Sequence, residues 1–138
     1  MVRLVTLAVV LCVPALLRAE TPQEALKKLE GTWTVEKLEL KGDASPAELL
    51  KMMTLTIKGD QVTMNDMNDD PATIAVDPSK SPGHISFTDK KKKVNLGLYR
   101  LDGDKLEMVM GDDDKPRATE FKSTKENMNI LIILKRKK

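Results

Sequence analysis

The chain has 138 residues, of which 23 are Lys or Arg and 21 are Asp or Glu, so its formal net charge is +2. A chain of this length forms one domain with a real core. Its near-neutral charge does not support a general affinity for nucleic acid.

The first 19 residues have the pattern of a secretory signal peptide. Arg3 gives a positive start, Leu4 to Leu17 is almost wholly apolar, and Ala19 is the small residue before a plausible cleavage point. The apolar core is shorter than the roughly 20 residues of a membrane-spanning helix, and no later segment is long enough either. An uncleaved N-terminal anchor is the alternative.

Cleavage after Ala19 would limit the chemistry that remains possible. It removes two of the 23 basic residues, Arg3 and Arg18, so the remaining 21 balance the 21 acidic residues and the net charge becomes 0. It also removes Cys12, the only cysteine, which excludes disulfides, thiolate nucleophiles and cysteine-ligated zinc. We therefore predict a single exported domain over residues 20–138, periplasmic or extracellular, with no cofactor.

Two segments carry the signature of a helix start. Thr21-Pro22-Gln23-Glu24 is a capping box with proline at the first helical position, and Ser45-Pro46-Ala47-Glu48 repeats the pattern. These predict helices over 22–30 and 46–53. The side chains that the two helices would bury are Ala25, Leu26 and Leu29 in the first, and Leu49, Leu50 and Met53 in the second.

The rest of the chain alternates in the manner of short β-strands. The first strand covers about 32–40, and its apolar phase slips by one residue near Glu36-Lys37, which predicts a bulge. Lys58-Gly59-Asp60 and Asp102-Gly103-Asp104 are tight hairpin signals. Seven further strands are marked by Met53, Leu55 and Ile57; Val62 and Met64; Ile74 and Val76; Ile85 and Phe87; Val94, Leu96 and Leu98; Leu106, Met108 and Met110; and residues 130–134.

Eight short strands without crossover helices predict a mainly β fold, an eight-stranded antiparallel up-and-down barrel with a short helix at each side of strand 1. An open, curved sheet crossed by a helix is the alternative. The last strand is apolar on both faces, and we expect the 22–30 helix to cover its outer face. Trp33 lies at the start of strand 1, beside the end of the last strand. Arg136 or Lys135 would therefore stack on the indole, a structural contact that closes the barrel and contributes roughly 0.5–2 kcal/mol.

The connections differ in character between the two ends of such a barrel. One end has the long, charged segments 41–52, 65–71, 89–93 and 111–116, and we call it the open end. The other has mostly tight turns, and we call it the closed end. A site would be expected at the open end, with the 46–53 helix as a lid.

Four ordered segments suggest a family. They are Leu29 to Trp33, Val76 to Pro82, Gly97 to Leu106, and Arg117 to Phe121. Together they resemble the small uncharacterised secreted domain abundant in planctomycete-type bacteria. The resemblance implies a lipocalin-like barrel and export, but the family brings no established activity or catalytic residues. This chain has Val109 and Ala118 where the family often has Cys and Pro.

Charged segments give only weak signals of a site. Asp66, Asn68 and Asp70, followed by Asp77, faintly resemble a calcium loop, but Pro71 stands where such a loop needs glycine. We therefore predict no metal site, although a weak surface cation site remains an alternative. The run Lys90 to Lys93 lacks neighbouring aromatic side chains that would stack on bases, and a solvated loop is the favoured interpretation.

Catalysis has little support in the sequence. His84 is the only histidine, which excludes a His pair or a His-rich metal site, and its position beside Pro82-Gly83 favours a turn role. Glu107 is expected to point outward from its strand. We predict that the protein is not an enzyme.

Methionine is unusually common beside few aromatic side chains, which suits an adaptable apolar pocket. The leading hypothesis is a binding module that holds a small apolar or amphipathic ligand inside the barrel. The residues expected to line the interior and the lid are Met52, Met53, Leu55, Ile57, Met64, Leu96, Leu98, Met108, Met110, Ile130 and Ile132. The alternative is a filled barrel whose loops contact an envelope protein or polymer.

Overall fold

The computed structural model describes residues 20–65 and 71–137. The predicted signal peptide and the acidic residues 66–70 lie outside the described part of the chain. The described residues form two helices and nine strands. The helices are α1 (Pro22–Leu29) and α2 (Ala47–Lys51), and the strands are β1 (Gly31–Leu40), β2 (Asp43–Ala44), β3 (Thr54–Lys58), β4 (Gln61–Met64), β5 (Ala72–Asp77), β6 (Gly83–Thr88), β7 (Val94–Asp102), β8 (Lys105–Met110) and β9 (Ile130–Arg136).

The strands form one antiparallel sheet that closes on itself. The order is β2-β1-β3-β4-β5-β6-β7-β8-β9, and an additional pairing of β1 with β9 closes eight of the strands into a barrel. The predicted eight-stranded barrel with two short helices is thereby confirmed, and the open sheet is wrong. The remaining strand, β2, has two residues and pairs with the last two residues of β1, Glu39 and Leu40. Its sequence, Asp43-Ala44, is too short to show an alternation, so the pattern missed it.

The predicted bulge in the first strand is present. In the pairing of β1 with β9, Val35 lies opposite Leu134 while Lys37 lies opposite Ile133, so Glu36 is the extra residue. Trp33 and Val35 before it and Leu38 after it are all buried. The bulge therefore keeps the apolar side chains on the inner face although the sequence changes phase.

The two predicted capping boxes have different outcomes. At α1 the backbone N–H of Glu24 donates to Thr21 Oγ1 at 3.2 Å, and the Thr21 hydroxyl donates to the Glu24 carboxylate at 3.1 Å. The second capping box is wrong, because α2 begins after Pro46 with no capping hydrogen bond from a side chain. Ser45 instead donates its backbone N–H to the carbonyl of Leu38 at 2.8 Å, which ties it to β1.

A continuous apolar cluster fills the barrel, and α1 closes one end of it. Ala25 and Leu29 of α1 belong to the same cluster as the inward side chains of the strands. Trp33 is fully buried there, and its indole Nε1 donates to the carbonyl of Leu29 at 2.9 Å. Because α1 packs as an end plug, the prediction that it covers the outer face of the last strand is wrong.

A second, smaller cluster covers that outer face. Leu98 of β7, Val109 of β8 and Leu131 of β9 pack with Ala118 and the partly buried Phe121. The cover is thus the long connection between β8 and β9, which crosses the outside of the barrel. The chain then returns as β9, which pairs with β8. These three strands are therefore apolar on both faces.

Candidate functional site

The barrel interior is packed rather than hollow where the structure describes it. Five of the predicted lining residues lie in the interior cluster, each at most 7% exposed to a water-sized probe: Leu55, Ile57, Met108, Met110 and Ile132. Ile130 packs against the same cluster and is partly buried. The walls of a ligand-sized cavity would be accessible to such a probe, so these side chains fill the space that they were expected to line.

The prediction for β7 has the wrong phase. Leu98 belongs to the outer cluster, and Leu96 has the same face by strand alternation. Tyr99 and Leu101, which alternate with them, pack into the interior cluster instead. The outward residues are apolar because the connection after β8 covers them. One of the inward positions is Gly97, which has no side chain. The alternation of apolar residues therefore predicts the outer face of β7 as the core face.

The lid region leaves apolar side chains in solvent. Met53 packs against the interior cluster, but Met52 is 76% exposed. Among the described residues, five large apolar side chains are exposed, and we call them the open-end rim: Leu40, Leu49, Met52, Met64 and Met128. The expected burial of Leu49 is therefore wrong.

All members of the open-end rim lie on segments at one end of the barrel. Leu40 is opposite Ile130 in the sheet, and Met128 precedes Ile130 by two residues. Met64 is opposite Leu55, which follows α2 and Met52 along the chain. The rim thus extends from the β1–β9 seam to the start of β3 and the end of β4, which lie away from the turn that joins these two strands.

The closed end is held by the cation–π contact that the sequence predicts. The guanidinium of Arg136 lies 4.3 Å from the ring centroid of Trp33. Its Nη1 and Nη2 donate to the carbonyls of Glu30 and Lys28 at 2.7 and 2.8 Å, and Nε lies 3.4 Å from the Asp104 carboxylate. One side chain therefore connects β9, β1 and the C-terminal end of α1, where a cation is electrostatically favoured.

A cavity of about 560 Å³, the side cavity, lies beside the end of β7 and is lined by residues of both faces of that strand; the sequence does not predict it. The pairing of β6 with β7 ends at Gly83 opposite Tyr99, so the last residues of β7 pair only with β8. The cavity is bounded by this part of β7, by α1, by the turn before β6 and by residues 119–121. No sequence pattern reveals it because its walls come from four separate segments.

Most charged groups around the side cavity are paired. Lys28 Nζ lies 2.6 Å from Glu20 Oε1, and this hydrogen bond raises the pKa of Lys28. Arg100 lies 4.5 Å from the Phe121 ring centroid and donates its Nε to Glu107 at 3.0 Å, which lowers the pKa of that carboxyl. Among the described residues Lys80 makes no ion pair.

Tyr99 contributes a polar group to this apolar and cationic surface. Its ring is buried between the barrel interior and Gly83, where an added Cβ would come within 2.4 Å of the ring. Burial raises the pKa of the Tyr99 phenol above its ordinary value of 10.0. Within the described residues the hydroxyl has no hydrogen-bond partner, and Tyr99 lines the side cavity.

The single histidine lies at a strand start, as expected. His84 is opposite Asp77, and both line a small cavity of about 140 Å³ with Ser86 and Arg117. Desolvation and the charge of Arg117 lower the pKa of His84. The Asp77 carboxylate accepts hydrogen bonds from Ser79 instead of from His84. The described residues therefore show no nucleophile–base pair at this site.

The lysine run is organised by its own loop. Asp89 Oδ1 accepts the backbone N–H groups of Lys91 and Lys93, each at 2.9 Å. Lys93 Nζ lies 3.8 Å from an Asp113 carboxylate oxygen. An acidic group thus lies beside the basic ones, which weakens this segment as an anion site.

Comparisons of the chain with protein-family models, with curated proteins and with solved structures found no match. The resemblance to the planctomycete-type secreted domain stays a prediction. In residues 20–65 and 71–137, no group of three or more His, Asp or Glu side chains is placed to hold a metal ion. No helix in this part of the chain is long and apolar enough to cross a membrane.

Proposed function

We propose that the protein is an exported, filled barrel that binds another envelope protein through its open-end rim and catalyses no reaction. The observation that carries this proposal is the contrast between the two apolar surfaces. Interior side chains such as Ile57 and Met108 are 2% exposed, whereas Met52 of the rim is 76% exposed. Apolar side chains that gather at one end of a protein are typical of an interaction site.

The composition of the rim fits a protein surface as its partner. Three of its five members are methionines, which are flexible and adapt to irregular apolar surfaces. The rim side chains lie on α2, at strand ends and in a connection, so they present separate contacts rather than one enclosed pocket. The leading hypothesis from sequence, a ligand inside the barrel, has less support because the side chains expected to line it are packed together.

The rim is tested by site-specific photocrosslinking in an exporting host. A photoreactive amino acid replaces Met52 and, in a matched control, the exposed Gln61 at the closed-end turn. We expect a discrete protein adduct from position 52 and none from position 61. Titration with the purified partner should then show binding that Leu49→Lys weakens at least tenfold, about 1.4 kcal/mol, and that Gln61→Lys leaves unchanged. Equal adducts from both positions would refute the proposal.

Native mass spectrometry of residues 20–138 separates the two hypotheses. A filled barrel gives the same mass before and after denaturation. A discrete additional mass that is lost on denaturation, together with crosslinks to it from position 108, would instead establish a ligand in the barrel.

A further inference from the structure

The side cavity has the size of a ligand site and is separate from the open-end rim. Its volume of about 560 Å³ lies within the roughly 300–1,000 Å³ that small-molecule pockets occupy. It opens on the outside of the barrel near the closed end, between α1 and the end of β7. A ligand there would not compete with a protein bound at the rim.

One wall of the side cavity offers an apolar, partly aromatic surface. Phe121 is held in place by Arg100, whose guanidinium lies 4.5 Å from the ring centroid, and by the outer cluster around Leu98. Leu101 and Ala25 continue the apolar lining on the other side of the strand end. A flat apolar body would therefore find a ring and aliphatic side chains to contact.

The polar groups of the side cavity favour a negative charge on that body. Among the described residues that line the cavity, Glu20 is the only acid, and Lys28 Nζ lies 2.6 Å from its carboxylate. Arg100 is shared with Glu107, which leaves Lys80 as a cation without an ion pair among the described residues. The Tyr99 hydroxyl adds a donor that has no partner there.

We propose that the side cavity binds a small aromatic carboxylate, with its ring against Phe121 and its carboxylate facing Lys80 and the hydroxyl of Tyr99. A charged acceptor makes a stronger hydrogen bond than a neutral one, so the unpartnered phenol has most to gain from an anion. The apolar wall selects acids that carry a ring over inorganic anions. This inference does not depend on the role of the open-end rim.

The test uses phenylacetate as the probe and phenylacetamide as its uncharged analogue. Binding is followed by two-dimensional NMR of residues 20–138 during titration to roughly 10 mM, the range expected for a weak fragment. We expect saturable shifts around Phe121 and Tyr99, and at least fivefold weaker binding of the amide. Shifts that do not saturate, or equal binding of the acid and the amide, would overturn the proposal.

Three variants assign the contacts. Lys80→Gln removes the unpaired charge, and Tyr99→Phe removes only the hydroxyl, because it keeps the ring that packs on Gly83. We expect each to weaken phenylacetate binding about fivefold, in line with one lost hydrogen bond or ion contact. The exposed Lys58, outside the side cavity, provides the control Lys58→Gln, which should bind as the wild type does. A loss in Lys58→Gln equal to the loss in Lys80→Gln would show a general charge effect and refute the site, as would unchanged binding by both Lys80→Gln and Tyr99→Phe.

Discussion

Replacement of Arg136 by Ala tests how the closed end is held. The guanidinium lies 4.3 Å from the Trp33 centroid, donates to two carbonyls at the end of α1, and pairs with Asp104. A cation–π contact contributes about 0.5–2 kcal/mol, a hydrogen bond about 0.5–1.5 kcal/mol, and an exposed ion pair at most about 1 kcal/mol. The Arg136 side chain is 28% exposed, so water replaces part of each interaction.

We therefore expect Arg136→Ala to lower the free energy of unfolding by about 3 kcal/mol, within the usual total of about 5–15 kcal/mol. Arg136→Lys should lose roughly half of that, because an ammonium cannot cover the ring and reach both carbonyls together. Urea unfolding followed by the fluorescence of the single tryptophan measures both variants. With a slope of about 1–3 kcal/mol per molar urea, the midpoint should fall by more than about 1 M.

Lys137→Ala is the matched control, because Lys137 is exposed and follows Arg136 directly. It should change the stability by less than about 0.5 kcal/mol. A loss within that same limit for Arg136→Ala, or an equal loss for Lys137→Ala, would show that Arg136 does not hold the closed end. An intact slope is also required, since a changed slope would indicate a different unfolded or native state.

Three further predictions concern other parts of the barrel. A Cβ at Gly97 would lie 2.0 Å from the carbonyl oxygen of Val109, so Gly97→Ala should destabilise the fold by about 3 kcal/mol or more, and an unchanged urea midpoint would contradict this. The raised pKa of Tyr99 means that its stabilising effect is complete below the ordinary value of 10.0 and is lost as the pH rises through the folded-state pKa. Ultraviolet titration of this single tyrosine should therefore show ionisation above 10.0 in the folded protein, and ionisation at the ordinary value would refute its burial. Met52→Lys should change the free energy of unfolding by less than about 0.5 kcal/mol, because the Met52 side chain is 76% exposed. Thermal unfolding measures this, and a large fall in the midpoint temperature would show that Met52 is part of the core.

The sequence predicts most of the strands because apolar and polar residues alternate along any strand that has one buried face. The phase slip at Glu36 predicted the bulge, and the tight turns at Gly59 and Gly103 predicted two hairpins. Trp33 and Arg136 were also correctly paired, because an up-and-down order brings the first and last strands of a barrel together. These features follow from the local periodicity of apolar residues and from the pairing of the first strand with the last.

Where both faces of a strand are buried, alternation no longer identifies the inner one. The sequence pattern therefore places Leu96 and Leu98 in the barrel interior, whereas Tyr99 and Leu101 occupy it. The side cavity escaped prediction for a related reason. It depends on where the β6–β7 pairing stops, at Gly83, and the sequence of either strand alone does not contain that information.

The junction between β1 and β9 determines when this protein can complete its fold. Trp33 is paired with Arg136, so the barrel cannot close until the last of the described strands has been synthesised. Until then β1 and β8 each present a free edge, the kind of surface on which chains aggregate. Contacts so distant in sequence also slow folding. A truncation before residue 130 would lack β9 and would leave the free edges of both β1 and β8 exposed.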